Sequence, residues 1–176
     1  MPGYYTYLIS SLPMLHFGIQ SPFSFAGFLE ICQGLIPESG IKILETASIT
    51  GEYIYETTQS SLRKWFIFDT LLRNELVKIR AARKRMDSAR YLRGEEYAPP
   101  AIARLAMNAQ KNPSILAAER MLDQERWHFL DELAGGHYFD IDFLVVYALK
   151  LLILARWEII NTADKASILE ETLVKS

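Results

Sequence analysis

Apolar residues return every three or four positions through much of the chain, and that period locates its elements. In residues 68–94, "FDTLLRNELVKIRAARKRMDSARYLRG", the positions Leu72, Leu76, Ile79, Ala82, Met86 and Ala89 make one stripe. The spacing predicts a long amphipathic helix, with Gly94 as its natural stop. "PPAIARLAMNAQKN" predicts a second helix with proline in its first turn. Asn112–Pro113 then reads as an N-cap followed by proline at the first helical position. It opens a helix on which Ile115, Leu122, Phe129 and Leu133 share a face and Gly135–Gly136 mark the end. The loop that follows is short, so roughly 113–134 and 141–161 must be antiparallel neighbours.

The second arm of that hairpin contains "FLVVYALKLLILARW", residues 143–157, where only Lys150 interrupts the apolar run before Arg156. Such a run suggests a membrane span, a core helix or a partner-binding surface. A span needs about 20 apolar residues, and a central lysine costs roughly 2.5–3.5 kcal/mol in a bilayer. Asp140 and Asp142 precede the run and Glu158 follows it. With no polar face, the segment is expected to be a helix enclosed by protein. Lys150 then needs a carboxylate or a route to water. Glu125, Asp131 and Glu132 on the preceding helix are the candidates, and a buried Lys150–Glu125 ion pair is the expected form.

The first 60 residues are less regular. "SPFSFAGFLEICQGLIP" predicts a short capped helix from about Ser24 to Ile36, whereas "YYTYLISSL" fits a strand or a short helix equally. Gly40 and Gly51 read as breaks, and "DKASILEETLVKS" as a last short helix. The expected fold class is mostly α. We expect a helical, bundle-like single domain over 1–176, built on a central antiparallel hairpin (about 113–134 and 141–161). Residues 1–60 would supply short pieces packed on the helical body of 66–174.

Composition supports a folded core: half of the 176 residues are hydrophobic and the formal net charge is only −2. The charge is unevenly placed. Asp69–Arg93 holds eight basic and three acidic residues, whereas Ser114 onward holds six basic and eleven acidic. The halves can neutralise each other or face separate partners. Arg80, Arg83, Lys84 and Arg90, which the stripe leaves outward, are the candidate partner-binding residues. The single cysteine, Cys32, excludes an intrachain disulfide framework. "MPGYYTYLISSLPML" has neither a basic n-region nor a small-residue cleavage site, so no signal peptide is expected and the placement is cytoplasmic.

Catalytic chemistry finds little footing. "ERWH" gives Glu125 and His128 the i, i+3 spacing of a di-iron bundle, but such sites need that pair twice plus two further glutamates. Cys32 lies in an apolar stretch, Ser10–Ser11 have no nucleophile elbow, and no glycine-rich phosphate loop occurs. Glu95 and Glu96 read as solvated turn acids. We therefore expect no enzyme, no catalytic or metal-binding residues and no cofactor.

Two stretches carry a resemblance. "YYTYLISSLPML" with "FLEIC" resembles the Tyr-rich, Leu-Pro opening of an uncharacterised bacterial family encoded in V-type (A/V-type) ATPase operons. "ERWHFLDELAGGHYFDIDFLVVYALKLLILARW" is similar to that family's C-terminal signature of Trp, a Gly turn, Phe-Asp, Tyr-Ala-Leu-Lys-Leu and Arg-Trp. The family stands where other organisms encode the ATPase C (d) subunit. The resemblance implies a helical, non-catalytic linker between the rotor shaft and the membrane ring. Its partners would be central-stalk and membrane-ring subunits, and it would be associated with the membrane through the complex, without a span of its own. The alternative, read from charge alone, is a helical nucleic-acid-binding module using the basic 73–93 face.

Overall fold

A long C-terminal helix organises the fold. The computed structural model describes residues 3–53, 56–94 and 97–174, with side chains from residue 5 to residue 164. Its helices are α1 (Gly3–Ser11), α2 (Phe25–Cys32), α3 (Glu38–Glu45), α4 (Ser60–Lys84), α5 (Pro100–Lys111), α6 (Ile115–Ala134) and α7 (Ile141–Val174), with a 3₁₀ turn at Ala89–Tyr91. Among the described residues there is no strand, so the fold is mostly α, as the periodicity predicts.

The apolar run lies within α7 at the centre of the molecule. Leu144–Leu149, Leu151, Ile153, Leu154 and Trp157 are all buried, on every side of the helix. Fully burying each such aliphatic side chain contributes about 1.5–3 kcal/mol, so neighbours must surround the helix. α6 packs along one side, α2 and α3 along another, and α4 closes the rest. A second, smaller core joins α4, α5 and α6 through Leu72, Leu76, Ala106, Ala109 and Leu122. No helix among the described residues is long and apolar enough to cross a membrane.

The N-terminal pieces are helices tied into this core. "YYTYLISSL" is helical and buries Leu8 and Ile9. The Ser24 hydroxyl accepts from the Gly27 N–H and caps α2, which ends at Cys32 rather than near Ile36. Gly40 is no break: it lies inside α3, where a Cβ would come 3.2 Å from Ile36 and 3.5 Å from Ile141.

Three further boundaries differ from expectation for local reasons. α4 ends at Lys84, ten residues before Gly94, because Arg85 adopts the left-handed conformation (φ 53°). The Met86 N–H then reaches the Ala81 carbonyl at 2.9 Å and the Arg85 N–H reaches Ala82 at 3.2 Å, the 6→1 and 5→2 pattern of a Schellman closure. Beyond Ile79 the expected stripe therefore fails: Ala82, Met86 and Ala89 are exposed, and Ala81 is buried instead. Ser114 rather than Asn112 caps α6, accepting from the Ala117 N–H at 3.2 Å, and Ile115 is 83 % exposed. The "DKASILEETLVKS" segment continues α7 up to Val174 instead of forming a separate helix, since nothing in it breaks the backbone ladder.

The candidate partner-binding groove

Asp69 stands in the middle of an apolar stretch of α4, and its burial requires partners. Arg126 of α6 donates from Nε to Asp69 Oδ1 at 2.6 Å, and Arg73, one turn along α4, donates from Nε to Oδ2 at 2.6 Å. The Tyr53 hydroxyl donates to the same Oδ2. Arg126 also reaches Asp123, one turn back on α6, at 2.8 Å. Asp123 in turn accepts from Arg156 and from the Trp157 indole N–H, both on α7, at 3.0 and 2.9 Å. Arg156 finally donates to Glu119 at 2.5 Å. One unbroken chain of charge-assisted bonds thus ties α4, α6 and α7 together.

Electrostatics favour the ionised state of Asp69, Arg73 and Arg126. Burial alone would push the Asp69 carboxyl up, but the Arg126 and Arg73 guanidinium groups outweigh it and hold it below its usual value. Burial opposes the charge on Arg126 too, and Asp69 and Asp123 more than restore it. Tyr53 is kept neutral by burial and by the adjacent Asp69 charge. No side-chain polar atom buried among the described residues lacks a hydrogen-bond partner.

The chain forms the back wall of a groove of about 1090 Å³. Residues of α4, α6 and α7 line it, together with the loop around Gly51 and with Tyr91 and Arg93. Among the described residues, Arg73, Arg80, Arg93, Arg126 and Arg156 line it, against the two acids Glu52 and Glu119. Asp69 and Asp123, which orient three of these arginines, are buried behind them and do not line it. Arg73 also donates to the Ile49 carbonyl at 2.7 Å and Arg93 to that of Gly51 at 3.1 Å, clamping the loop. Gly51 has φ +87°, and a Cβ there would meet the Arg73 guanidinium at 3.0 Å, so the clamp depends on glycine.

The sequence-predicted residues fall around this groove in different ways. Arg80 lines it, and Arg83 and Lys84 continue outward from it along the exposed last turn of α4. Arg90 is exposed too, but on the 3₁₀ turn and not on the helix, because α4 has already ended. Lys150 pairs with Asp131 at 2.5 Å and lies 4.9 Å above the Trp127 ring, so the expected Lys150–Glu125 pair does not form. Helix geometry explains the correction. Asp131 is one turn beyond the buried Trp127 and shares its face, whereas Glu125 lies two residues before it, on the opposite side. Glu125 instead stands exposed 3.8 Å from His128. Glu95 and Glu96 lie outside the described residues.

A second polar cluster lies at the start of α7. His137 Nδ1 is 2.7 Å from Asp140 Oδ2 and 3.9 Å from Asp142 Oδ2, a set of atoms of metal-ligand type. Each carboxylate already has local work. Asp140 Oδ1 caps α7 through the Phe143 N–H, and Asp142 Oδ1 accepts from Gln59 and Ser61. The positive end of the α7 dipole also opposes a cation there. These residues act as a cap that pins the α6–α7 turn to the start of α4. Cys32 is fully buried, and that burial pushes its thiol up to about 12.

Residues 100–172 match the model of a family described as a protein of unknown function, DUF2764. The match spans α5, α6 and most of α7, including Asp123, Arg126, Asp131, Lys150 and Arg156, while Asp69, Arg73 and Arg80 lie before it. Comparison with curated proteins and with solved structures finds no match.

Proposed function

We propose that the chain is a non-catalytic accessory or C/d-like subunit of a V-type ATPase, linking the rotor shaft to the membrane ring through protein contacts. One structural observation carries the reading: the continuous ion chain from Asp69 through Arg126 and Asp123 to Arg156 and Glu119. It cross-ties α4, α6 and α7, and a part that transmits torque needs helices that cannot slide past one another. The resemblance of residues 125–157 to the ATPase-operon family supports the same reading. So does the exposed basic end of α4, where Arg80, Arg83 and Lys84 offer a docking face for an acidic partner.

Co-purification tests it. The tagged chain expressed in its source organism should recover the central-stalk subunits of the ATPase, and its gene should stand beside those for ATPase subunits A, B, D, E, I and K. Recovery of nucleic acid instead, with affinity falling steeply as salt rises, would favour the module that uses the basic 73–93 face.

A further inference from the structure

We propose that the groove between α4 and α7 is the seat of an acidic, amphipathic segment, helical when bound, from a protein partner. The proposal deepens the functional reading above and rests on its premise that the chain acts by docking on protein. Charge complementarity is the first ground. Among the described residues five arginines line the groove against two glutamates, and one of these, Glu119, is already taken up by Arg156. The buried Asp69 and Asp123 hold Arg73, Arg126 and Arg156 in fixed orientations from behind. An arginine fork has five N–H donors, so the bonds to these carboxylates leave others to face the groove. Arg80 has no side-chain partner among the described residues. Guanidinium groups fixed in this way recognise carboxylates with little loss of freedom.

The second ground is the rest of the lining. Val77 of α4 and Leu152, Ala155 and Ile159 of α7 give an aliphatic lining, and Ile159 is 72 % exposed. Among the described residues, Tyr91 is the one aromatic residue lining it. Single-stranded nucleic acid is held by aromatic platforms that stack its bases, and the described lining of this groove offers a single ring. Alternating aliphatic contacts and carboxylates are what an amphipathic helix presents at i, i+3, i+4 and i+7. At about 1090 Å³, the groove is also at the upper limit of small-molecule sites, roughly 300–1,000 Å³.

The test uses a displayed library of random 16-residue peptides, selected on the whole protein and counter-selected on Arg80→Glu/Ile159→Lys. Both side chains are exposed and have no bonded partner among the described residues, so far-UV circular dichroism and the thermal melt of the variant should match the wild type. Enriched peptides should carry two or more Asp or Glu with aliphatic residues three or four positions apart. They should bind the wild type at least tenfold more tightly than either single variant. No enrichment over the variant, or a neutral or basic consensus, would overturn the proposal. So would a dT20 oligonucleotide that binds through Arg80 in place of any peptide. The outcome is separable from that of the functional reading. Stalk-subunit recovery that survives Arg80→Glu/Ile159→Lys but is lost on reversing Arg83 and Lys84 removes the groove and keeps the subunit. Acidic peptides without any stalk subunit do the reverse.

Discussion

Arg126 of α6 and Asp69 of α4 meet at 2.6 Å with both side chains buried, 57 residues apart in sequence. The pair is the joint between the two parts of the chain that differ in charge: the basic segment supplies the buried acid, and the acidic segment supplies the buried base. Inside the fold the uneven charge distribution is partly cancelled in this way. At the surface it persists as the exposed basic end of α4.

Breaking that joint on one side should be expensive. Asp69→Asn leaves the Arg126 charge without its main counter-ion, and removal of one partner of a buried pair costs about 3–5 kcal/mol. Urea unfolding should show a loss of that order. Asp69→Leu combined with Arg126→Met should recover only part of it, because the apolar pair avoids its own desolvation cost but leaves Tyr53, Arg73 and Asp123 each with one partner fewer. A single-mutant loss below about 1 kcal/mol would mean that water reaches the pair.

The same carboxylate predicts the response to acid. Its folded-state pKa is depressed, so between the folded and unfolded values the unfolded chain binds more protons. The stabilisation from Asp69 is therefore complete above the unfolded value of about 3.9 and is lost as pH falls through the folded one. Stability measured from pH 7 to pH 2 should be level on this account down to about pH 4 and decline below it. The decline should be shallower in Asp69→Asn.

α4 ends on a left-handed arginine where most helices of this closure use glycine. The left-handed conformation costs an L-residue roughly 1–2 kcal/mol, and glycine adopts it freely. Arg85→Gly should accordingly raise the melting temperature by about 2–4 °C per kcal/mol gained, without altering the helix content. A drop in stability would mean that the Arg85 side chain has an unrecognised role.

Much of the architecture was legible in the period of apolar residues, because that period fixes which face of each helix is buried. The α6–α7 hairpin and the enclosed α7 follow from it directly. The end of α4 did not, since the sequence places no glycine at Arg85 and the closure is made by backbone bonds from Arg85 and Met86. The polar chain was missed for another reason. Asp69 inside "WFIFDTLL" and the Asp123/Arg126 pair at i, i+3 are visible signals, but which acid meets which base depends on how three helices cross. Lys150 shows the same limit: its need for a carboxylate was readable, and the choice of Asp131 over Glu125 came from helical phase.

Docking of the basic end of α4 on the ATPase stalk is the central claim, and one pull-down tests it most directly. Arg83→Glu/Lys84→Glu reverses two exposed charges that contribute little to the fold. The variant should melt within a degree or two of the wild type, and recovery of central-stalk subunits should fall at least tenfold. Unchanged recovery would contradict the docking face. Failure of the wild-type chain to recover any stalk subunit, with tight nucleic-acid binding near physiological salt, would contradict the subunit itself.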